Sequence, residues 1–398
     1  MIFDLYKLTA PLVTESLPYV QYKSVTISPC DDYIGIITDS EETGIIIIDR
    51  KSGQITRTIT TNDTISHMSF NPKNSSRICS SGTILQYYRI IPSGVQIIPI
   101  TGAENLTNSD VYNIHAWIDG EKLVAGTSRG ELLLVSGHTV HSKLTVPFAS
   151  HQNDSGTGIR SDCGVQNIIV EKTVVLVIGR CSYICVYELV STSSATLSTH
   201  SKHELSLRYT VNISNAHTIH GSILYSGGTT SNKGGNPEYE HCYDLVISTE
   251  SGLGHVYLPC PLPVDTLHNS SGTDTLDNST GNADIAGLSA EEREAQVWIS
   301  RGKDQRLQHN IDISSGILDI PMTHIFASYH SDKIISVALS QRTSTMLTAS
   351  EDGVVSVMDY SKTSGNVLLS QNILTETLQG KRLTTIDYHS SVSYLPKT

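Results

Sequence analysis

The sequence has little charge and no dense run of basic residues. Lysine, arginine, aspartate and glutamate make up 17% of its 398 residues, and the formal net charge is -12 at pH 7. A protein that binds the phosphate backbone of nucleic acids normally has a basic surface, so this composition argues against nucleic-acid binding. Hydrophobic residues make up 38% of the chain, which is too many for a charged disordered protein.

Long apolar segments are also missing. No stretch approaches the roughly 20 apolar residues that a membrane-spanning helix needs, so the sequence predicts no membrane segment. The first residues, MIFDLYKLTAPLV, lack the basic start and the apolar centre of a secretion signal. The seven cysteines are odd in number and irregularly spaced, which favours reduced thiols and a cytoplasmic location.

Sequence signatures of catalysis and of cofactor binding are absent as well. The chain has no nucleophile elbow, no phosphate-binding loop and no CxxC pair. Cys181 and Cys185 are four residues apart on a predicted strand and would face the same side, but buried thiols are the simpler interpretation. The sequence therefore predicts no catalytic residue, no cofactor and no metal ion, and it favours a protein that is not an enzyme.

Short β-strands dominate the sequence, and they recur in sets of up to four. Isoleucine, valine, threonine, serine and tyrosine suit half-buried strands, and the one clear helix signal lies at 289–302. Each set has about the length of one β-propeller blade, which is 40 to 45 residues. The sets lie near 23–60, 65–100, 111–146, 165–213, 218–260 and 325–375.

We therefore predict an all-β fold in which residues 1–398 form a single β-propeller with about seven blades of four antiparallel strands. Long insertions rich in Gly, Ser, Asn and Thr separate some sets, at 190–204, 227–242 and 262–315, and the last is expected to be a partly disordered loop. The end pieces 1–14 and 382–398 could together form a shared seventh blade that closes the ring. Alternatively, the C-terminal piece begins a second propeller.

A glycine opens the third strand in most of the predicted sets. Tight hairpins favour glycine because the turn demands positive φ, which other residues rarely adopt. We therefore expect each of these glycines to lie in a turn with positive φ. They are Gly44, Gly82, Gly130, Gly252 and Gly353.

The last set resembles the WD-repeat family most clearly. His330 stands at the position of the family's Gly-His pair, Asp352 and Gly353 form the turn before the third strand, and Met358-Asp359 replaces the Trp-Asp pair. In intact repeats of that family, a tryptophan, a serine or threonine, a histidine and an aspartate form a buried hydrogen-bond relay. The resemblance implies a WD40-like propeller whose relay is incomplete in this set, because Met358 stands in place of the tryptophan.

Three stretches are similar, in order and approximate spacing, to the WD-repeat cilia- and flagella-associated proteins. They lie at 66–90, 114–137 and 328–360, and the most specific is IHAWIDGEKLVAGTSRGELLLVSG at 114–137. The resemblance covers roughly 60–380 and implies an axonemal scaffold near the inner dynein arms. Such relatives usually carry a second propeller and a coiled coil, which implies that this sequence is a piece of a longer protein or a reduced relative.

Three functions remain open from the sequence. The first is a non-catalytic scaffold that binds other proteins in a ciliary or flagellar axonemal complex. The second is a WD-repeat scaffold of another cytosolic complex, such as one in ribosome assembly or trafficking, and the third is a propeller enzyme. The predicted innermost strands are apolar or rich in Ser and Thr rather than in acids and histidines, which favours a scaffold.

Two tryptophans are candidate partner contacts. Trp117 lies at the end of a predicted first strand, and Trp298 lies in the longest insertion. Exposed tryptophans are frequent hot spots of protein interfaces. For Trp117, packing inside the propeller is the competing interpretation.

Overall fold

A computed structural model describes most of the predicted strands. The described residues are 21–39, 43–103, 110–150, 164–192, 202–214, 216, 218–225, 242–250, 252–259, 310–312, 317–320, 322–325, 333–340, 345–351, 354–363 and 366–377. These ranges form strands and one four-residue helix, α1 (Pro147–Ser150), which the sequence did not predict. In this part of the chain, no helix is long and apolar enough to cross a membrane.

The first three sheets, named blades one to three, each contain four consecutive antiparallel strands. Blade one is β1 (Gln21–Ile27), β2 (Tyr33–Asp39), β3 (Thr43–Asp49) and β4 (Ile55–Thr61). Blade two is β5 (Ile65–Asn71), β6 (Asn74–Gly82), β7 (Gln86–Ile91) and β8 (Gly94–Pro99). Blade three is β9 (Tyr112–Trp117), β10 (Lys122–Thr127), β11 (Glu131–Ser136) and β12 (Thr139–Thr145).

Blades four to six have the same meander, and the outer edges of blades four and five include strands from farther along the chain. The next strands are β13 (Val165–Glu171), β14 (Val174–Gly179), β15 (Tyr183–Thr192), β16 (Lys202–Ile213), β17 (Ile219–Tyr225), β18 (Cys242–Thr249) and β19 (Gly252–Pro259). They are followed by β20 (Asn310–Asp312), β21 (Ile317–Ile320), β22 (Thr323–Ile325), β23 (Ile334–Ser340), β24 (Thr345–Ser350), β25 (Val354–Thr363) and β26 (Asn366–Thr377). The sheet orders are β13-β14-β15-β16-β21-β20, β17-β18-β19-β22 and β23-β24-β25-β26.

The sheets stack face to face around a central axis. The first strands of consecutive blades contact one another along the series β1, β5, β9, β13, β17 and β23. A buried apolar cluster lies between each pair of neighbouring blades from blade one to blade five. The sheets of blades two, three and four are therefore apolar on both faces. Such stacking buries sheets that are apolar on both faces, so the structure confirms the all-β propeller expected from the sequence.

Every first strand carries a β-bulge at the same place. The pairing with the second strand skips one residue immediately after the first apolar residue of the strand. The skipped residues are Lys23, Ser66, Asn113, Gln166, His220 and Ile335. A bulge bends a strand and increases its twist, and its repetition shows that the six sheets share one backbone plan despite their diverged sequences.

The outer edges of blades four and five differ from the sequence prediction. The sequence predicts three strands near 218–260, whereas blade five gains a fourth, β22, from beyond the insertion. The insertion predicted over 262–315 ends in a strand, β20, and the β20–β21 hairpin extends blade four with β21 parallel to β16. The hairpin covers a sheet edge whose backbone groups would otherwise be open, and Ile320 joins the apolar cluster between the two blades.

The hairpin between the third and fourth strands of blade four is also longer than predicted. The sequence places a loop at 190–204, but strand pairing continues through Val190–Glu204 to Thr192–Lys202. Serine and threonine are compatible with strands as well as with loops, so composition alone placed the boundary too early.

The glycine prediction is correct for Gly130 and Gly252 and wrong for two others. Gly130 has φ of 76° and Gly252 has φ of 115°, whereas Gly44 lies inside β3 without positive φ. Gly82 ends the second strand rather than opening the third, and a Cβ there would lie 1.7 Å from the Thr64 carbonyl oxygen. Gly82 is therefore explained by close backbone approach to the start of β5, its neighbouring strand in the same blade.

Several predictions fall on residues outside the described ranges. They are the helix at 289–302, most of the insertions at 227–242 and 262–315, and the end pieces 1–14 and 382–398 of the shared seventh blade. Blades six and one lack the extensive contact that joins every other consecutive pair of described sheets. A further blade between them therefore stays a prediction.

Candidate functional site

Residues of the first strands alternate between two neighbouring blades. We number each first strand from the apolar residue before its bulge, so that the bulged residue is position two. Positions three and five then face the next blade, as Ile114 does by packing between blades three and four. Positions four and six face the preceding blade, as Met68 and Phe70 do by packing against blade one.

Position four is buried in five blades and partly buried in blade one, yet two blades place a polar residue there. It is Val25, Met68, Ile168 and Val337 in four blades, but His115 in blade three and Ser222 in blade five. Each polar residue meets a polar residue at position three of the preceding blade. His67 Nδ1 lies 3.4 Å from His115 Nδ1, and Asn167 Nδ2 donates to Ser222 Oγ at 2.8 Å.

The joint between blades two and three, named the relay joint, contains a chain of hydrogen bonds from Trp117 to the histidine pair. Trp117 Nε1 donates to Ser69 Oγ at 3.1 Å, and Ser69 Oγ lies 2.8 Å from His115 Nε2. On the other side of the ring, His115 Nδ1 lies 3.1 Å from Ser81 Oγ. Only 2% of His115 is exposed, so these contacts satisfy both nitrogens of an otherwise buried ring.

Both histidines of the relay joint are held in the neutral form. Burial lowers the pKa of His67 to about 4. Burial, with a smaller contribution from the nearby His67, lowers the pKa of His115 well below its ordinary value. Desolvation disfavours the charged form of an imidazole, and no opposing carboxylate contributes to either shift among the described residues.

Arg77, on β6 of blade two, connects the two blades at the other end of the relay joint. Its guanidinium donates to the Gly137 carbonyl at 3.1 Å and to the Gly120 carbonyl at 3.5 Å, both in turns of blade three. The guanidinium also lies 4.3 Å from the centre of the Tyr87 ring. The Arg77 side chain is only 12% exposed, and these contacts of its two terminal nitrogens hold two turns of blade three against blade two. Its buried Nε has no hydrogen-bond partner among the described residues.

Trp117 is therefore a packing residue of the relay joint. Its indole stacks on Tyr87 with ring centroids 5.5 Å apart, and its only polar atom is bonded to Ser69. The residue is half-buried, so a partner protein could reach only its outer part. Trp298, the other candidate contact, lies outside the described residues.

A serine beside a histidine also raises the question of catalysis. A catalytic serine needs a hydroxyl that can attack and a base that a third group, usually a carboxylate, orients. Here the hydroxyl of Ser69 already accepts the indole N–H, and the far nitrogen of His115 faces Ser81 and His67. The arrangement suits a structural relay better than a nucleophile.

The family-like residues of the last set are described only in part. His330, Asp352 and Gly353 lie outside the described residues. The backbone places Met358 opposite Met346 and Asp359 opposite Thr345 on paired strands. Their part in a relay within blade six stays a prediction.

The two closely spaced cysteines lie in one apolar cluster. Cys185 is buried on β15, while Cys181 precedes that strand, forms an isolated bridge with Thr218, and packs against the same cluster. Burial raises the pKa of Cys185 to about 12, so its thiol stays protonated. Among the described side chains, no group of three or more His, Cys, Asp or Glu could hold a metal ion.

Comparison with known proteins shows similarity at the level of the fold. No protein-family model and no curated protein sequence matches the chain. The β-propeller domain of Myceliophteria thermophila Cps50 (Swd1) superposes with a TM-score of 0.50 over 85% of this chain and 84% of that domain, at 12% sequence identity. This likeness and the sheet architecture together show that the chain has the fold of a WD40-like β-propeller.

Proposed function

We propose that this protein is a non-catalytic scaffold that binds other proteins through the rims of its propeller. The observation that carries the proposal is the architecture itself: stacked four-stranded sheets whose connecting turns project from two opposite ends. Loops held by a rigid framework are the usual place of binding residues, and the stacked sheets of a propeller supply such a framework. Ser69 and His115 already use their hydrogen-bonding groups inside the relay joint, which supports a structural role for them rather than a catalytic one.

The finer proposal is that the scaffold belongs to an axonemal complex of cilia or flagella, associated with dynein arms. Its support is the similarity of the stretch at 114–137 to ciliary and flagellar WD-repeat proteins, together with the flanking stretches at 66–90 and 328–360. A WD-repeat scaffold of another cytosolic complex has the same fold, so the fold does not choose between the two.

The test is co-purification of the tagged full chain from ciliated cells, with fractionation of axonemes. The proposal expects dynein-arm components among the captured proteins and the tagged chain in the axonemal fraction. Capture of ribosome-assembly or trafficking proteins instead, with no axonemal signal, would replace the ciliary assignment with the cytosolic one. A purified chain that captures no protein from any fraction would contradict the scaffold function itself.

Two charge reversals would show which rim carries the partner. Lys51 lies in the turn between β3 and β4, and Lys333 lies just before β23, at the opposite ends of the blades. Both lysines are exposed, so Lys51→Glu and Lys333→Glu should leave the fold intact. We expect one reversal to reduce capture of the partner several-fold and the other to leave it unchanged. If both variants capture as much partner as the wild type, the partner does not bind near either lysine.

A further inference from the structure

Two titratable rings meet inside the relay joint. The ring centroids of His67 and His115 are 4.6 Å apart at an interplanar angle of 63°, and their Nδ1 atoms face each other at 3.4 Å. His115 is buried, whereas His67 is only partly so, and solvent protons can therefore reach the pair through His67. The pair joins the first strand of one blade to that of the next.

The hydrogen bonds of the pair accommodate two neutral rings. Ser69 accepts the Trp117 N–H and can donate its own proton to His115 Nε2. The proton of His115 then sits on Nδ1, where Ser81 Oγ and His67 Nδ1 are the acceptors. In this arrangement the donors of Trp117, Ser69 and His115 each have an acceptor, and neither ring carries a charge.

The hydrogen bonds between the blades must rearrange to take up an additional proton. On His67 Nδ1 that proton would face the Nδ1 proton of His115. His115 can accept it only by moving its own proton to Nε2, where it would donate to Ser69 Oγ, and the hydroxyl proton of Ser69 would then lose His115 as its acceptor. Protonation therefore disrupts the hydrogen bonds of the neutral pair and places a charge where burial disfavours it.

Among the residues with described side chains, no acidic group near the pair would compensate that charge. The titratable and charged residues with described side chains on the strands that pack around the pair are Lys23, Tyr33, Arg77, Cys79, Tyr112, Lys122 and Glu171. None of them contributes to the pKa shift of either ring, and His67 alone acts on His115. The pair is thus isolated from carboxylates among the described residues.

We propose that the His67–His115 pair makes the relay joint an acid-sensitive latch between blades two and three. The latch is closed while both rings are neutral, and uptake of a proton opens the joint at the inner strands β5 and β9. Outside the pair, the apolar cluster between these blades, with Tyr87 and Leu123, keeps the sheets associated. The latch would change the spacing of the rim loops and so extends the proposed scaffold function without depending on it.

The expected size of the effect follows from the lowered pKa of His67. In the open joint the ring returns to its ordinary pKa of 6.5, and in the closed joint the pKa is about 4. A group with a lowered pKa in the closed state stabilises that state above pH 6.5 and loses the contribution as the pH falls towards 4. At pH 5 the open form should therefore gain about thirtyfold over its population at neutral pH.

The test is hydrogen exchange of backbone amides in the full chain at pH 7.5 and pH 5, corrected for intrinsic exchange. The variant H67N/H115Q keeps polar side chains but cannot titrate, and asparagine already occupies position three in blade four, at Asn167. H141Q removes an exposed histidine of blade three and serves as the control. We expect about thirtyfold faster exchange in β5 and β9 at pH 5 for the wild type and H141Q, and less than threefold for the double variant.

The latch would be overturned if amide exchange in β5 and β9 accelerated at pH 5 as much in H67N/H115Q as in the wild type. It would also be overturned if amides in β14, far from the pair, accelerated as much as those in β5 and β9. If the double variant does not fold, titration of the imidazole resonances in the wild-type protein decides the question. The latch requires that both rings remain neutral in the folded protein at pH 6. A pKa of 6.5 or higher for either ring of the pair would contradict it.

Discussion

The joint between blades one and two and the joint between blades two and three use the same strand positions for different chemistry. In the first, Met68 and Phe70 pack on blade one at Gly35, where an added Cβ would lie 2.6 Å from Met68 Cε. In the relay joint, His115 and Trp117 occupy the same two positions and reach hydroxyl groups. The same backbone arrangement can thus be stabilised either by close apolar packing or by hydrogen bonds between the blades.

The two kinds of joint should fail in different ways. An apolar joint fails when a cavity is left, because packing and transfer free energy are lost together. A polar joint fails when one partner is removed and the other stays buried without a hydrogen bond. The following substitutions separate these two modes, from the largest expected effect to the smallest.

The largest effect is expected from Met68→Ala in the apolar joint. Met68 is 2% exposed, so truncation leaves a cavity against blade one and should lower the free energy of unfolding by about 3 kcal/mol. Urea unfolding measures the change. Ile97→Ala on the outer strand of the same blade is the control, because Ile97 is 53% exposed and should cost well under half as much. Equal losses for both variants would show that the joint does not depend on packing.

A smaller loss is expected from Arg77→Met in the relay joint. Methionine keeps much of the stacking on Tyr87 but leaves the Gly137 carbonyl without its donor, so we expect a loss of about 2 kcal/mol in the free energy of unfolding. The Gly120 carbonyl keeps its hydrogen bond from Asn71 Nδ2 at 2.8 Å. Arg89 pairs with Arg77 across β6 and β7 and is exposed. Arg89→Met should therefore change the free energy of unfolding by less than about 0.5 kcal/mol. A similar loss in both variants would show that the contacts of Arg77 with blade three do not stabilise the joint.

Ser69→Ala should cost about 1.5 kcal/mol, because Trp117 Nε1 loses its acceptor and His115 Nε2 loses its partner. Thr26 occupies the same position in blade one, where the facing residues are apolar. The control Thr26→Val should lie within about 0.5 kcal/mol of the wild type in the same urea titration. If the two variants are equally stable, the hydroxyl of Ser69 contributes nothing to the joint.

Trp117→Phe is expected to have the smallest effect, about 1 kcal/mol. Phenylalanine can keep the stack on Tyr87, but it lacks the donor to Ser69. Partner capture by the tagged variant should stay unchanged if Trp117 is a packing residue. A several-fold loss of capture at unchanged stability would instead restore Trp117 as a partner contact.

Much of the fold was predictable because it depends on local patterns. Alternating apolar residues and turn glycines mark the strands, and their recurrence at blade length marks the propeller. Strand β22 was missed because it lies beyond the insertion, so its partner β19 cannot be recognised by proximity in sequence. The role of Gly82 was missed because its close approach to Thr64 depends on how the start of β5 pairs with the end of β6, which glycine spacing alone does not show.

The relay joint was not predicted, although its residues are visible in the sequence. The family pattern directs attention to His330 and Asp352 in the last set, whereas the relay of blades two and three runs between first strands. His67 and His115 are 48 residues apart, about one blade. The available signal is a histidine at a position that is apolar in four other blades, and it emerges only after the first strands are aligned on their bulges.

The measurement that tests the central claim most directly is a double-mutant cycle between Ser69→Ala and Trp117→Phe. The claim is that a directed hydrogen-bond relay joins blades two and three, so these two losses should not add. We predict a coupling free energy of about 1 kcal/mol, because each single variant already breaks the same bond. Additive losses, within about 0.3 kcal/mol, would show that the two side chains act independently and would contradict the relay.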